Sequence, residues 1–416
     1  TGTFTIPMMR AARFKREIAG GIEAASSSGG ALVPPVMGAA AYLMLEIVQP
    51  AVTYLQIIQS ALIPAVLYYL SIFLFVHFLS LRIASTPAVA EDDEMEGASP
   101  EDNLSGEPKK LEPYKGVLFV CSLASLIAFL ILGFTPFRAV TLALVVLLTL
   151  SFFRSETRLT WTRFVEAIRG AGRDVVPLIC AAACVGVIIG VVTLTGVGTR
   201  FPAMILPIAE DSLLGALLLI MAGSLILGMG LPSVVCYLLM ATLVGPVLGN
   251  LGVVPLAAHF FIFYFGMMSM VTPPVALAAY AASSVAGSKI IPTSMAAFRV
   301  ALVGFTLPFM FVFRPELLLL APDGESLSIV AVIYSTTIGV LGIIAFAAGL
   351  SGYLLGRLKI GWRVALFVAA ALMLYPGEAF LFPQDWLFTV HDLAGVILLA
   401  VVALLTRKAE SSQEAT

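Results

Sequence analysis

The sequence predicts an all-α polytopic membrane protein, built as an inverted repeat with re-entrant hairpins and discontinuous helices. Of its 416 residues, 60% are hydrophobic and 12% are charged, which leaves a soluble domain too few polar groups to cover its surface. Apolar runs of about 20 residues recur along the chain, the length that an α-helix needs to cross a membrane. Two of these runs are interrupted by adjacent prolines, Pro34-Pro35 and Pro273-Pro274.

The proline pairs predict two broken helices. A proline lacks the backbone N–H of a helical hydrogen bond and pushes the residue before it out of the α region. We therefore interpret residues 17–48 and 255–287 as transmembrane helices in two halves, whose freed backbone groups face a cavity. Secondary transporters bind ions and substrate at such breaks. The alternative is that the glycines and prolines only kink these helices.

The two breaks belong to an internal duplication. One offset of 239 positions aligns, without a gap, Pro7 with Pro246, Pro34 with Pro273, Pro35 with Pro274, and Thr3 with Thr242. A shared spacing of one proline followed by a proline pair is not expected in unrelated helices. We infer a repeat of the kind that builds secondary transporters.

The second copy carries a predicted re-entrant hairpin over residues 213–248. Two apolar arms, each short for a membrane crossing, flank the turn sequence Gly228-Met229-Gly230-Leu231-Pro232-Ser233. In the first copy the equivalent turn would precede Thr1. We therefore expect the chain to begin inside the first hairpin, as the C-terminal portion of a longer protein.

The chain divides into four predicted segments. They are the C-terminal part of the first repeat (1–83), an acidic cytoplasmic linker (84–115), the second half with its hairpin and broken helix (116–320), and an extension of about three transmembrane helices (321–416). The acidic run Glu91-Asp92-Asp93-Glu94 favours a solvated linker over a metal site, because no histidine accompanies it. Within the second half, Thr160–Arg173 is predicted as an amphipathic helix on the membrane surface and Val175–Thr195 as a separate span.

Basic residues in short loops predict the orientation, because they concentrate on the inner side of a membrane. The inner-side residues include Arg10, Arg13, Lys15, Arg16, Arg82, Lys289, Arg357, Lys359, Arg363 and Arg407. The count of spans between them closes only if residues 213–248 are re-entrant. The two copies then have opposite orientations, which is the inverted repeat of alternating-access transporters.

The breaks and the hairpin turn offer oxygen ligands for a cation. Sodium is a hard ion that prefers hydroxyl and backbone carbonyl oxygens. The candidate sodium- and substrate-binding residues are Ser27, Ser28, Gly29, Val33, Gly228, Gly230, Ser233, Met270 and Thr272. The helix-breaking residues are Pro34, Pro35, Pro232, Pro273 and Pro274. Half-helix N-termini at the breaks would favour an anionic substrate.

Glu23 is the candidate for proton coupling, because it is a carboxylate one or two turns before the first break. It could equally serve as a structural anchor. His259 is interpreted as a packed side chain with a hydrogen bond. Cys121, Cys180, Cys184 and Cys236 lie in apolar runs and are interpreted as small hydrophobic residues.

At several of these residues the chain resembles the large membrane subunit of the tripartite ATP-independent periplasmic (TRAP) transporters, and more closely the fused permeases of the TAXI type. The segments that carry the resemblance are Thr1–Pro7, Pro34–Ala40, Gly228–Pro232 and His259–Tyr280. The resemblance covers roughly residues 1–320. It implies an elevator-type, sodium-driven secondary transporter in a bacterial inner membrane.

The resemblance also implies two partners. One is a periplasmic substrate-binding protein that delivers the substrate, and the other is a small membrane subunit fused upstream in the full-length protein. Sodium would occupy the hairpin tips and breaks, at Gly228, Gly230, Ser233 and Thr272 in the second copy. In the first copy it would lie at Ser27, Ser28 and Gly29. We expect uptake of small organic anions such as carboxylates, with sodium as coupling ion and no other cofactor.

Three other functions are open to such a sequence. A stand-alone cation-coupled anion or dicarboxylate symporter would work without a binding protein. A membrane-embedded enzyme would need a nucleophile–base or metal constellation, which three histidines and four scattered cysteines do not supply. A channel is disfavoured because no charged pore stripe is visible. We therefore expect no enzymatic activity and no nucleic-acid partner.

Overall fold

The computed structural model describes residues 2–85, 113–154, 157–196, 212–229, 231–321, 326–374 and 390–414. These ranges are helical and contain no β-strand, which confirms the all-α class. In chain order the described helices begin with α1 (Gly2–Ala11), α2 (Arg16–Gly29), α3 (Ala39–Ile47), α4 (Tyr54–Ala84), α5 (Pro113–Ile131), α6 (Pro136–Ser151) and α7 (Trp161–Thr195). They continue with α8 (Leu213–Gly228), α9 (Ser233–Asn250), α10 (Pro255–Met268), α11 (Leu277–Ala286), α12 (Ile290–Ala301), α13 (Leu307–Phe313), α14 (Ile329–Ser351), α15 (Ile360–Leu374) and α16 (Val390–Glu414).

Several helices are apolar enough for a membrane. Among the described residues, four segments are long enough to cross one: Tyr54–Ala84, Ile290–Phe313, Ile329–Ser351 and Val390–Arg407. The arms α8 and α9 and the halves of both broken helices are shorter. The acidic run 91–94 of the predicted linker lies outside the described residues.

The structure differs from the sequence interpretation in where two helices begin and end. The predicted surface helix Thr160–Arg173 and the span after it form one 35-residue helix, Trp161–Thr195. The change from amphipathic to apolar residues alters the environment of the helix, and no residue between the two parts breaks the backbone. Helix α12 continues into α13 through a 3₁₀ turn at Leu302–Phe305.

The two copies of the repeat pack reciprocally. The helix α1 lies against α2 of its own copy and α11 of the other, and its counterpart α9 lies against α10 and α3. The first halves follow the same rule, because α2 packs on α11 while α10 packs on α3. These contacts of one copy therefore recur with the copies exchanged, as a pseudo-two-fold relation predicts.

Helices α14–α16 are joined to the rest of the chain through a buried ion pair. Arg314 follows α13 and donates from Nη2 to Oδ2 of Asp392 in α16 at 2.7 Å, with side chains 9% and 1% exposed. The Tyr334 hydroxyl of α14 donates to the same oxygen at 2.6 Å. A charge buried this deeply is stable only with such partners.

We predict that Asp392→Asn lowers the stability of the protein. The substitution leaves the buried Arg314 guanidinium without its counter-charge, a change that costs about 3–5 kcal/mol in soluble proteins. Thermal unfolding of the detergent-purified protein would measure the loss as a lower Tm. The paired control Arg314→Met/Asp392→Leu removes both charges and is expected to restore most of the Tm. A wild-type Tm for the single variant would contradict the prediction.

Candidate functional site

The two proline breaks have the same backbone geometry. Each first half ends in a 3₁₀ turn, Gly30–Leu32 in one copy and Ser269–Val271 in the other. The residue before each proline pair is extended, with ψ of 117° at Val33 and 125° at Thr272. Both Pro-Pro bonds are cis. The repeat inferred from the sequence is therefore also a repeat of backbone conformation.

Each break closes with the same hydrogen bond. The backbone N–H of Met37 donates to the Val33 carbonyl at 3.1 Å, and that of Ala276 donates to the Thr272 carbonyl at 3.2 Å. Met37 and Ala276 have positive φ values of 53° and 42°, a region that non-glycine residues rarely adopt. They are 239 positions apart, so the sequence offset extends to a conformation that it did not predict.

Tyrosine hydroxyl groups satisfy the backbone around the first break. From α4, Tyr68 donates to the carbonyl of Ala25 and Tyr69 to that of Ser26, both at 2.8 Å. Tyr54 lies within 3.0 Å of the Pro35 carbonyl. These three tyrosines hold α2 and the turn after it in place, and sequence reasoning missed them because nothing in an apolar span marks its hydroxyl groups.

The first candidate cluster lies at the end of α2. Ser27 donates from Oγ to Oε1 of Glu23 at 3.1 Å, and Thr5 of α1 donates to the other carboxylate oxygen at 2.5 Å. Glu23 is buried, whereas Ser27 is exposed and Ser28 half-buried. The coupling candidate and the first predicted sodium ligand are thus in direct contact, which the one-turn spacing in α2 allows.

The second candidate cluster forms where α8 meets the second break. The Thr272 hydroxyl donates to the Met268 carbonyl at 2.7 Å, and Met270 lies half-buried in the 3₁₀ turn. A Cβ built on Gly228 would lie 2.6 Å from Oγ of Ser269. The end of α8 therefore contacts this turn directly, and only glycine fits there.

The remaining hairpin residues lie at the start of α9. The Ser233 carbonyl oxygen is 3.4 Å from a Cβ built on Gly266, which places Ser233 against the first half of the broken helix. Pro232 is exposed, and Pro273 and Pro274 form the break itself. Gly230 lies outside the described residues.

Ser224 is a further site residue that the sequence interpretation missed. Its hydroxyl is fully buried and has no hydrogen-bond partner among the described residues. An unsatisfied buried hydroxyl costs roughly 1–3 kcal/mol, which makes Ser224 a candidate ligand for a bound water or ion. Ser224 precedes Gly228 by one helical turn and shares its face of α8. The sequence shows only a serine in an apolar run. Its burial, which the structure shows, is what identifies it as a candidate.

The elements that carry the two clusters are neighbours. The 3₁₀ turn of the second break packs against α2, which carries Glu23 and Ser27. The described structure therefore brings the first and second candidate sites to adjoining parts of one helical core. His259 lies elsewhere, with Nδ1 at 2.9 Å from the Tyr237 hydroxyl, as expected for a packed, hydrogen-bonded side chain.

These features define a class of protein: a polytopic helical membrane protein with a duplicated unit of interrupted helices, the architecture of secondary transporters. The family model of the tripartite ATP-independent periplasmic transporter, DctM component, matches residues 1–322. The chain therefore belongs to this family of transporter membrane components. A search of curated proteins found no match to the chain.

We predict that Gly29→Ala disturbs the first break while Gly30→Ala does not. A Cβ on Gly29 would lie 2.2 Å from the ring of Tyr68, whereas one on Gly30 meets nothing within 4 Å. Both glycines have helical φ values, so backbone preference does not separate them. Gly29→Ala should lower Tm and expression, measured beside its neighbour. Equal behaviour of the two variants would show that Tyr68 does not fix the end of α2.

Proposed function

We propose that this chain is the membrane permease subunit of a sodium-coupled, elevator-type uptake system for small organic anions such as carboxylates. It would lie in a bacterial inner membrane and receive substrate from a periplasmic binding protein. Its small membrane subunit would be fused upstream, as in TAXI-type permeases. Membership of the transporter family over residues 1–322 supports the permease role, and the oxygen atoms and helix N-termini at the two breaks support the coupling ion and the anionic substrate.

Sodium coupling is supported by the oxygen atoms at the second cluster. The hydroxyl groups of Ser224, Ser269 and Thr272 come from α8 and the second break, and Gly228 allows the two elements to touch. Ser269 and Thr272 donate their protons to backbone carbonyls, which leaves their lone pairs as acceptors. A hard monovalent cation takes such neutral oxygen ligands without the cost of a buried carboxylate.

The contacts of Glu23 favour sodium over proton coupling. Its carboxylate accepts hydrogen bonds from Thr5 and Ser27, and these bonds hold it in place beside the first candidate cluster. Glu23 next to Ser27 would therefore serve as a ligand or anchor at the first sodium site. A proton-coupled carrier would instead need this carboxylate to gain and lose a proton in each cycle.

An anionic substrate is supported by the second halves of the broken helices. Both α3 and α11 begin directly after a break, and neither Gly38 nor Ala276 supplies a side-chain cap to their first N–H groups. Uncapped helix N-termini carry partial positive charge and favour anions. A carboxylate at one N-terminus would receive hydrogen bonds that no side chain occupies.

The deciding experiment is uptake into proteoliposomes that contain the complete transporter. An imposed sodium gradient would be compared with a proton gradient, each with the binding protein present or omitted. Uptake that needs both sodium and the binding protein supports the proposal. Uptake without the binding protein would favour a stand-alone symporter, and proton-driven uptake would give Glu23 the coupling role.

We predict that Thr272→Ala, Ser233→Ala and Ser224→Ala each weaken sodium activation. Loss of one oxygen ligand should raise the sodium concentration for half-maximal uptake roughly tenfold, or about 1.4 kcal/mol. Ser224→Ala removes no described hydrogen bond of the side chain, so it should not lower Tm. Uptake is measured at varied sodium concentration and fixed substrate.

The matched control is Thr337→Ala in α14. Thr337 donates to the carbonyl four residues earlier at 2.7 Å, as Thr272 does, but it lies outside both clusters. Its sodium activation should equal that of the wild type. Wild-type activation in all three test variants would reject the second cluster as a sodium site.

A further inference from the structure

A basic cavity of about 1140 Å³ lies away from both breaks. Its walls come from the turn between α1 and α2, from α4 and α12, and from the ends of α14 and α15 that face each other. Five basic side chains line it, namely Arg13, Lys15, Arg82, Arg299 and Arg363, and Glu17 is the acidic residue among its described lining. All but Arg299 are in regions that the positive-inside rule places on the inner side of the membrane.

Three of these arginines are fixed by the C-terminal end of α14. They donate to carbonyl oxygens of its last turn, in the pairs Arg82 with Ser351 (2.8 Å), Arg299 with Leu350 (2.5 Å) and Arg363 with Gly349 (2.9 Å). A helix C-terminus carries only about half a negative charge. It therefore positions these guanidinium groups without balancing three full positive charges.

Two of the arginines keep donors for a ligand. Each guanidinium has five N–H groups, and the described bonds of Arg299 and Arg363 to Gly349 and Leu350 use three of the ten. Several positive charges close together beside an apolar environment have a high electrostatic free energy, which a bound anion lowers. The cavity thus has the charge and the donors for a phosphate group, whose oxygens arginine binds in a bidentate manner.

The rest of the cavity wall is apolar. Phe75, Leu79 and Phe298 line it together with Met295, which is 54% exposed. Ile291, four residues before Met295, is 74% exposed, so the two side chains share one face of α12. An apolar strip therefore leads out of the basic cavity. A small soluble anion has no apolar part that could pack against such a strip, whereas the acyl chains of a lipid could.

We propose that this cavity binds the phosphate headgroup of an anionic membrane lipid, with the acyl chains along the Ile291–Met295 face of α12. The basic groups come from α4, α12, α15 and the α1–α2 turn. One headgroup would therefore hold the first repeat, the second repeat and the C-terminal extension together at the inner face. The site is separate from both breaks and does not depend on the coupling ion.

The test is lipid binding by the purified protein, measured by native mass spectrometry. Phosphatidylglycerol and phosphatidylcholine are titrated separately into delipidated protein, and inorganic phosphate is added as a soluble competitor. We expect stronger retention of phosphatidylglycerol that millimolar phosphate does not displace. Equal retention of the two lipids, or full displacement by phosphate, would overturn the assignment to an anionic lipid.

Charge-removing variants locate the site. Lys15→Gln and Arg299→Gln should each weaken phosphatidylglycerol binding roughly fivefold, since one basic side chain near an anionic lipid contributes about 1 kcal/mol. Lys15 is exposed and makes no described bond to α14, so Lys15→Gln is expected to fold. It therefore tests the site even if Arg299→Gln fails to fold. The control Arg407→Gln removes an exposed charge outside the cavity and should leave binding unchanged. Undiminished binding in Lys15→Gln, or an equal loss in Arg407→Gln, would reject this cavity.

Discussion

The rest of the core depends on one constraint: backbone polar groups freed by the proline pairs must find partners in an apolar environment. Around the first break, Tyr54, Tyr68 and Tyr69 donate to carbonyl groups. At the second break, the hydroxyl groups of Ser269 and Thr272 do so. The same backbone geometry is therefore supported by α4 in one copy and by the break's own side chains in the other.

This difference separates what the sequence could predict from what it could not. Proline pairs affect the backbone locally, so the sequence alone predicted both breaks. The equal spacing of the prolines in the two copies predicted the duplication. The positions of Tyr68 and Ser224 depend on how α4 and α8 pack. The sequence of an apolar helix does not show which of its hydroxyl groups faces the protein interior. The joined helix Trp161–Thr195 was missed for a related reason, because a change in amphipathicity does not end a helix.

Small residues decide how the two copies meet. A Cβ built on Gly20 would lie 2.9 Å from Cγ2 of Thr293, and one on Gly21 would lie 2.7 Å from the Cβ of Ala296. In a membrane the hydrophobic effect does not drive helices together, because lipid tails are as apolar as the side chains. Helices associate there through close packing at small residues such as these. The glycines thus allow α2 to pack against α12 as well as α11, and α2 also contacts the 3₁₀ turn of the second break.

The C-terminal helices are attached by charged groups as well as by the packing of α14 on α4. Near the start of α14, the Tyr334 hydroxyl joins the buried pair of Arg314 and Asp392. At the other end, Arg82 and Arg299 from the family-matched region bind the last carbonyls of α14. Charge-assisted bonds are directional and roughly twice as strong as neutral ones. Helix α14 is therefore fixed at both ends to α4 and to the α12–α13 segment, and the extension is an integral part of the membrane domain.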